Sequence, residues 1–283
     1  MLKVTGQTRK DRESDEDRAL SNHQRHDAAA PKTAIRSIED VHPAAEALRD
    51  IAHATARLRV AACANIAAKG PMADGQGNIL AATVFGWPDQ EECWWKKPIL
   101  ALNSPLPIAC RYEAEAFWCN ADGIYLRYPN ELLEGLDLSN FASFVNATAA
   151  IVVPVHLPFG QIGAVSFTPL DNDRSDLGDE FEQFGDVLEL HARRFITGYV
   201  KVMTRRPWVP SNFRLSKREV ECLRWAAAGK TDYEISLIIS RSCATVRFHI
   251  QNAARKLQAV NRSQTVFKAA QLGYLGDVAV AAA

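Results

Sequence analysis

Arg247, Gln251 and Arg255 follow one another at four-residue intervals in the segment CATVRFHIQNAARKLQ, interleaved with Val246, Ile250, Ala253 and Leu257. A helix turns once in about 3.6 residues, so the apolar set faces a core and the polar set forms a stripe on the opposite side. Arg and Gln carry donors and acceptors that match guanine and adenine edges two at a time in duplex DNA. Ser242 and Thr245 open the segment, where hydroxyls and helix-start N–H groups can bond phosphate, and Lys256 adds a cation near its end. These six residues are the candidate DNA contacts.

A second group is apolar. Phe85, Trp87, Trp94, Trp95, Tyr112, Phe117 and Trp118 all fall within residues 85–118. Sites for small molecules are lined by aromatic side chains with a few placed polar groups, so this stretch is the place to look for a bound ligand.

Other chemistries find less support. The six cysteines (Cys63, Cys93, Cys110, Cys119, Cys222 and Cys243) form no CxxC pair and have no His at zinc-ligand spacing, which points to a reduced, cytoplasmic chain with no metal or cofactor. A thiol hydrolase built from Cys110 or Cys119 with His156 would lack any nucleophile elbow or family-specific Cys motif, so no enzyme is expected. His156 reads as a core or edge residue. The first residues have no apolar run behind their charges, and nowhere do 18 apolar residues run together, so neither a signal peptide nor a membrane span is expected.

The elements that must position these residues differ in charge. From Arg205 onward there are 13 Lys/Arg against 5 Asp/Glu, leaving 20 against 28 of the chain's 33 and 33 for the rest. A basic module carried by an acidic one is the footprint of a domain that neutralises phosphates and releases their counterions. In the basic part, Ser216 with Glu219, Thr231 with Glu234, and Asn261 with Gln264 have capping-box spacing, and Gly229 closes the first helix. Helices are therefore expected over 217–228, 232–239, 243–258 and 262–273, with a tight turn at Ser240, Arg241 and Ser242 between the second and third.

Residues 1–37, which hold no aromatic side chain, read as a disordered tail. From Ile38, Asp40 can cap a helix through Val41, Ala45, Leu48, Ile51 and Ala52. The segments RLRVAACANIA and NILAATVFGW read as strands, NELLEGLDLSNFASFVNAT as a helix, and AAIVVPVHLPFGQIGAVSFTPL as a hairpin with a Pro/Gly turn. Phe181, Phe184, Leu188, His191, Phe195 and Val202 mark one face of a long helix. Two prolines in RRPWVPSNF then mark a linker. The fold expected is α+β, an α-β-α sandwich with an antiparallel sheet joined to a four-helix module.

The last segment, LSKREVECLRWAAAGKTDYEISLIISRSCATVRFHIQNAARKLQAVNRSQTVFKAAQLGYL, resembles the LuxR/NarL-type helix-turn-helix from end to end. Glu219, Leu223, Gly229, Ile235, Ser242, Thr245, Val246, His249, Lys256 and Leu257 fall at the family's positions. Ser240 with Arg241 stands where many members have Gly with an aliphatic residue. Residues 38–203 resemble the autoinducer-binding domain of quorum-sensing LuxR regulators, closest along the hairpin. The resemblance implies a sensor at 38–203, a linker at 204–213, a DNA-binding domain at 214–276 and a short tail at 277–283.

A phospho-receiver sensor fits less well, because no acidic pair follows an apolar strand and no lysine lies between Lys97 and Lys201. Members that bind acyl-homoserine lactones carry Trp-x-x-x-Tyr, an Asp-Pro pair, a later aromatic and a Gly ahead of the hairpin proline. Here Glu91, Trp95, Ser104 with Pro105, Trp118 and Ala150 take those places. The ligand candidates are thus Trp95, Ser104, Trp118, Ala150 and, from the aromatic group, Tyr112. A hydrogen bond to a charged acceptor is worth roughly 1.5–3 kcal/mol, more than Ser104 can offer. The resemblance therefore implies a dimeric regulator of a palindromic operator, controlled by an acyl-homoserine lactone, an analogue or another small molecule. The alternatives are a ligand-independent orphan and a heterodimerising anti-regulator.

Overall fold

The computed structural model describes residues 32–67, 70–87, 104–171, 173–204 and 214–276. They divide into two compact units: one holds the described residues to Val155 and Ile162–Thr204, and the other holds the hairpin tip His156–Gln161 with the residues from 214 onward.

In the first unit the elements run α1 (Val41–Ala56), β1 (Leu58–Cys63), a short α2 (Leu80–Thr83), α3 (Pro105–Tyr112), β2 (Phe117–Asn120), β3 (Ile124–Tyr125), α4 (Phe141–Val145), β4 (Ala149–His156), β5 (Ile162–Pro169) and the long α5 (Gly178–Met203). The five strands form one sheet in the order β1-β5-β4-β2-β3. β1 runs antiparallel to β5, and β2 runs antiparallel to both β4 and β3. Helices α1 and α5 pack on each other and on the sheet. Helices α3 and α4 cover the opposite face, where Phe117, Cys119, Ala150 and Val152 meet Ala109, Cys110 and Phe141. This is the α-β-α sandwich.

Side chains alternate along a strand, so parity assigns each residue to a face. Gly163 marks the α5 side: a Cβ there would stand 2.6 Å from Ile196 Cγ2. Val165 and Phe167 share its parity and are fully buried. Ile162 and Ala164 turn the other way, toward Phe117 and Ala150.

Four expectations need correction. NILAATVFGW is not a strand: Ile79 makes a single bridge to Ala73 and the chain then coils into α2. An apolar run of this length is ambiguous by periodicity, and Leu80, Ala81 and Ala82 are good helix formers. The helix expected over 130–148 is broken at Gly135, where φ is +81°, leaving a 3-10 turn at Glu131–Leu133 and the five residues of α4. Asp40 precedes α1 but makes no cap bond to it; its carboxylate accepts the N–H groups of Arg36 and Ser37 instead.

The fourth concerns the tail. Residues 1–31, the linker residues 205–213 and 277–283 lie outside the described residues, but Thr33 and Ile35 are buried. Thr33 hydrogen-bonds His191 of α5 at 2.8 Å, and Ile35 packs against Gly198. The ordered unit therefore starts before Ile38. Further along α5, the Tyr199 hydroxyl accepts the N–H of Ala73 at 2.9 Å and donates to its carbonyl at 3.0 Å.

The second unit contains α6 (Lys217–Ala227), α7 (Asp232–Ile238), α8 (Cys243–Lys256) and α9 (Arg262–Gln271). Ser216, Thr231 and Asn261 each accept the N–H of the residue three positions on, as their spacing predicts, and Ser242 does the same for α8. The four helices end alike as well. Lys230, Arg241, Ala259 and Tyr274 donate back to Trp225, Ser236, Ala254 and Ala269, the six-to-one bond of a Schellman turn. Two small cores result: Leu223, Ala253, Leu257 and Ala269 in one, and Cys222, Ile235, Val246 and Ile250 in the other.

Candidate nucleic-acid interface and ligand-facing sheet

Helix α8 is braced by both cores through Val246, Ile250, Ala253 and Leu257, the apolar set expected from its sequence. Its outer side is open. Gln251 and Arg255 are exposed, and Arg247 is 66% exposed with its Nε 3.3 Å from Asp232 of α7. An ion pair so exposed holds little energy, and Asp232 is also gripped by Arg262, which reaches on to the Lys230 carbonyl. Arg247 can therefore leave Asp232 for a phosphate or a base. Ser242 and Thr245 sit at the helix start with their hydroxyls 2.9 Å apart, and Ser242 Oγ accepts the Thr245 N–H at 3.1 Å.

Lys256 is placed differently from the expectation. Its Nζ lies 2.7 Å from Oε2 of Glu219, a residue only 4% exposed that also accepts the Ser216 N–H. Burial pushes the Glu219 carboxyl up, but the hydrogen bonds from Lys256 and Ser216 outweigh it and hold the group below its ordinary range. Lys256 thus ties α8 to α6 and stands off the outer stripe. Phe248, absent from the expected set, is 58% exposed and belongs to that stripe: Ala244, Phe248, Gln251 and Arg255 have the same spacing as the core residues and all are exposed. The signal was present in the periodicity, but a phenylalanine on a helix is read first as core.

The turn between α7 and α8 carries the departure noted at Ser240. Ser240 has φ +51°, a left-handed conformation that glycine adopts without strain, and its N–H donates to Leu237 while Arg241 donates to Ser236. The turn is kept; the serine bears its cost.

In the first unit the expected ligand residues are divided. Ala150 is fully buried and pairs with Cys119, on the face shared by Phe117 and Val152. Ser104 is buried at the start of α3, the helix over that face, and makes no cap bond. Trp118 pairs with Ile151 and points to the other side, beside Gly178 of α5, stacked on Tyr125 with ring centroids 3.9 Å apart. Tyr112 is exposed at the end of α3, and Trp95 lies outside the described residues. The structure therefore brings together Ala150 and the start of α3, but not Trp118.

Strand parity adds residues that the sequence reading passed over. Phe117 lies on the Ala150 face, one residue before Trp118. Ser166 pairs with Ala61 and shares the parity of Ile162 and Ala164; its Oγ is buried and, among the described residues, has no hydrogen-bond partner. A buried hydroxyl without a partner costs about 1–3 kcal/mol, which a ligand acceptor would recover. Arg59, on the same side of β1, lies under the Trp87 ring at 5.0 Å, and the Trp87 indole N–H donates to the Val60 carbonyl at 2.7 Å. Burial pushes the Cys63 thiol up to about 12 and raises those of Cys110 and Cys119 as well, so these positions hold neutral thiols rather than nucleophiles.

With this geometry in place, the comparisons are specific about the second unit. Residues 214–269 match the family model described as bacterial regulatory proteins, luxR family. This segment is a luxR-family domain. The transcriptional activator protein VanR of Vibrio anguillarum is 38% identical to this chain over 130 residues, 45% of this chain and 52% of that protein. The transcriptional activator protein LuxR of Aliivibrio fischeri is 35% identical over 128 residues, 42% and 47% of the two chains. The chain thus spans about half the length of these relatives. Among solved structures, Escherichia coli SdiA is 26% identical, covering 65% of this chain and 72% of that one with a TM-score of 0.38. The matched segment contains the whole of α8, with the outer stripe, the strained turn, one small core entire and the other but for Leu275 and its neighbours. Among the described residues no helix is long and apolar enough to cross a membrane.

Proposed function

We propose that the protein is a transcription regulator that binds duplex DNA through α8 and responds to a small molecule held on the Ala150 face of the sheet. The observation that carries the first half is the open stripe of α8, with Gln251 and Arg255 exposed on a helix braced from behind and set in a luxR-family domain. Arg247 and the helix-start hydroxyls of Ser242 and Thr245 serve the phosphates and the edge of the site. The basic balance of the C-terminal part supplies the long-range attraction.

The regulator acts as a homodimer on a palindromic operator, because one such module reads too few base pairs to bind tightly alone. Val187 and Leu190, exposed on α5, and Phe267 with Val260, exposed at α9, supply the apolar seams. Its free thiols suit the cytoplasm. On the sensor side, a neutral hydroxyl at Ser104 and an unmet donor at Ser166 favour a ligand with hydrogen-bond acceptors over one that presents an amide N–H to a carboxylate. Such a ligand is an acyl-homoserine lactone analogue or another neutral molecule of that size.

Selection of binding duplexes from a random pool with the full-length protein tests the reading. Affinity should fall steeply as salt rises, and Arg255→Ala should cost about 1–3 kcal/mol and relax base preference at one position per half-site. Failure to select any sequence above the pool would overturn it. For the sensor, a panel of acyl-homoserine lactones and neutral acyl glycerols should include a compound that raises the unfolding midpoint; a ligand at a hundredfold over its Kd stabilises by about 2.7 kcal/mol.

A further inference from the structure

Phe248 places an aromatic ring, 58% exposed, in the middle of the outer stripe of α8, beside the hydrogen-bonding side chains of Arg247, Gln251 and Arg255. Ala244 precedes it by one turn, Gln251 and Arg255 follow it, and Arg247 flanks it. His249 meets its ring at 5.7 Å with an interplanar angle of 65°, which steadies it on the outside of α8. The ring adds nothing to either small core, both of which are closed on the far side of the helix by Val246, Ile250, Ala253 and Leu257. Two arginines, Arg247 and Arg255, bracket the ring. A polyanion with an apolar spot at base level fits both properties.

We infer that Phe248 is a specificity residue that reads the 5-methyl group of a thymine in the major groove. The inference rests on the DNA-binding reading of α8 and adds to it the identity of one base. Thymine is the base that presents an apolar group on its major-groove edge, and Phe and Ala are among the side chains suited to contact it. Gln251 and Arg255 read neighbouring edges by hydrogen bonds, so the stripe combines two kinds of recognition in adjacent turns.

The test replaces each thymine of a duplex selected with the full-length protein by deoxyuridine, which removes the methyl group and leaves pairing unchanged. Wild-type protein should lose about fourfold in affinity at one position per half-site, the worth of one buried methyl group, and little elsewhere. Phe248→Ala should bind the thymine and uracil duplexes equally while keeping the preferences set by Gln251 and Arg255. Phe248→Leu, which retains an apolar side chain, should keep part of the methyl dependence, and thermal unfolding of both variants should match wild type because the ring lies outside the cores. A wild-type profile with no uracil-sensitive position, or the same uracil sensitivity in Phe248→Ala, overturns the inference while leaving DNA binding intact. A change of oligomeric state in Phe248→Ala overturns it in favour of a protein contact. If no duplex is selected at all, the DNA reading falls and this inference falls with it.

Discussion

Trp118 and Ala150 stand on opposite faces of one sheet: Trp118 pairs with Ile151 toward α5, and Ala150 pairs with Cys119 toward α3. A substitution at Trp118 should therefore act on folding. Trp118→Ala removes a ring that is 9% exposed and stacked on Tyr125, and should cost about 3–5 kcal/mol in urea unfolding. Ser166→Ala should do the reverse. It removes an unpartnered donor and should raise stability by about 1–3 kcal/mol, while reducing the thermal shift given by a ligand that accepts from this hydroxyl. A ligand response that survives Ser166→Ala but not a conservative Trp118→Phe change would reverse the assignment of faces.

Lys256 and Glu219 yield a second prediction. Lys256→Met leaves the Glu219 carboxylate buried without its cation and should destabilise the C-terminal domain by about 1.5–3 kcal/mol at neutral pH, less than for a fully enclosed pair because the Lys256 side chain is 35% exposed. The Glu219 carboxyl is held below its ordinary value of 4.5 in the folded state, so its stabilisation is complete above that value and is lost as pH falls through the lower, folded one. Acid unfolding followed by circular dichroism should show this loss in wild type and a flatter profile in Glu219→Gln. The salt dependence of DNA binding should be unchanged in Lys256→Met, whereas a phosphate-contacting lysine would lower the slope by about one.

At the turn before α8, Ser240→Gly should stabilise the domain. A non-glycine residue in the left-handed region costs about 1–2 kcal/mol, and glycine returns part of this as lost chain entropy, so a net gain of about 0.5–1 kcal/mol is expected. Thermal unfolding measures it; a lower midpoint would mean that the serine side chain contributes more than its backbone costs.

The close approach of Ile35 to α5 provides a fourth test. A Cβ at Gly198 would stand 2.8 Å from the Ile35 Cβ and 2.9 Å from its carbonyl oxygen, contacts with a backbone that cannot swing aside. Gly198→Ala should cost about 1–3 kcal/mol and make the peptide bonds around Thr33 and Ile35 sensitive to protease. Unaltered proteolysis would show that residues 33–35 are held by other means.

These outcomes also show what was legible before the fold was seen. Three of the four described helices of the C-terminal domain could be read from their caps because an N-cap and its N3 partner are three residues apart, and the bond they make is local. The face of Trp118 could not: a shift of one residue in a strand sends every side chain to the other side, and only the pairing of Trp118 with Ile151 fixes which way it turns. The tie between Lys256 and Glu219 could not be read because the two are 37 residues apart, and Ser166 was not legible because an unpartnered hydroxyl is a property of its surroundings, not of its type.

The caps have a kinetic consequence. Each C-terminal helix begins and ends on bonds within its own few residues, so the domain's native contacts are largely short in sequence, whereas pairing Leu58 with Pro169 in the sheet closes a loop of more than a hundred residues. Chains rich in local contacts cross their barrier orders of magnitude faster than those that must first close long loops. On dilution from denaturant, the luxR-family domain should return in an early phase and the N-terminal sheet in a late one, so for an interval the refolding chain would hold its proposed DNA-binding face before its proposed ligand-binding one.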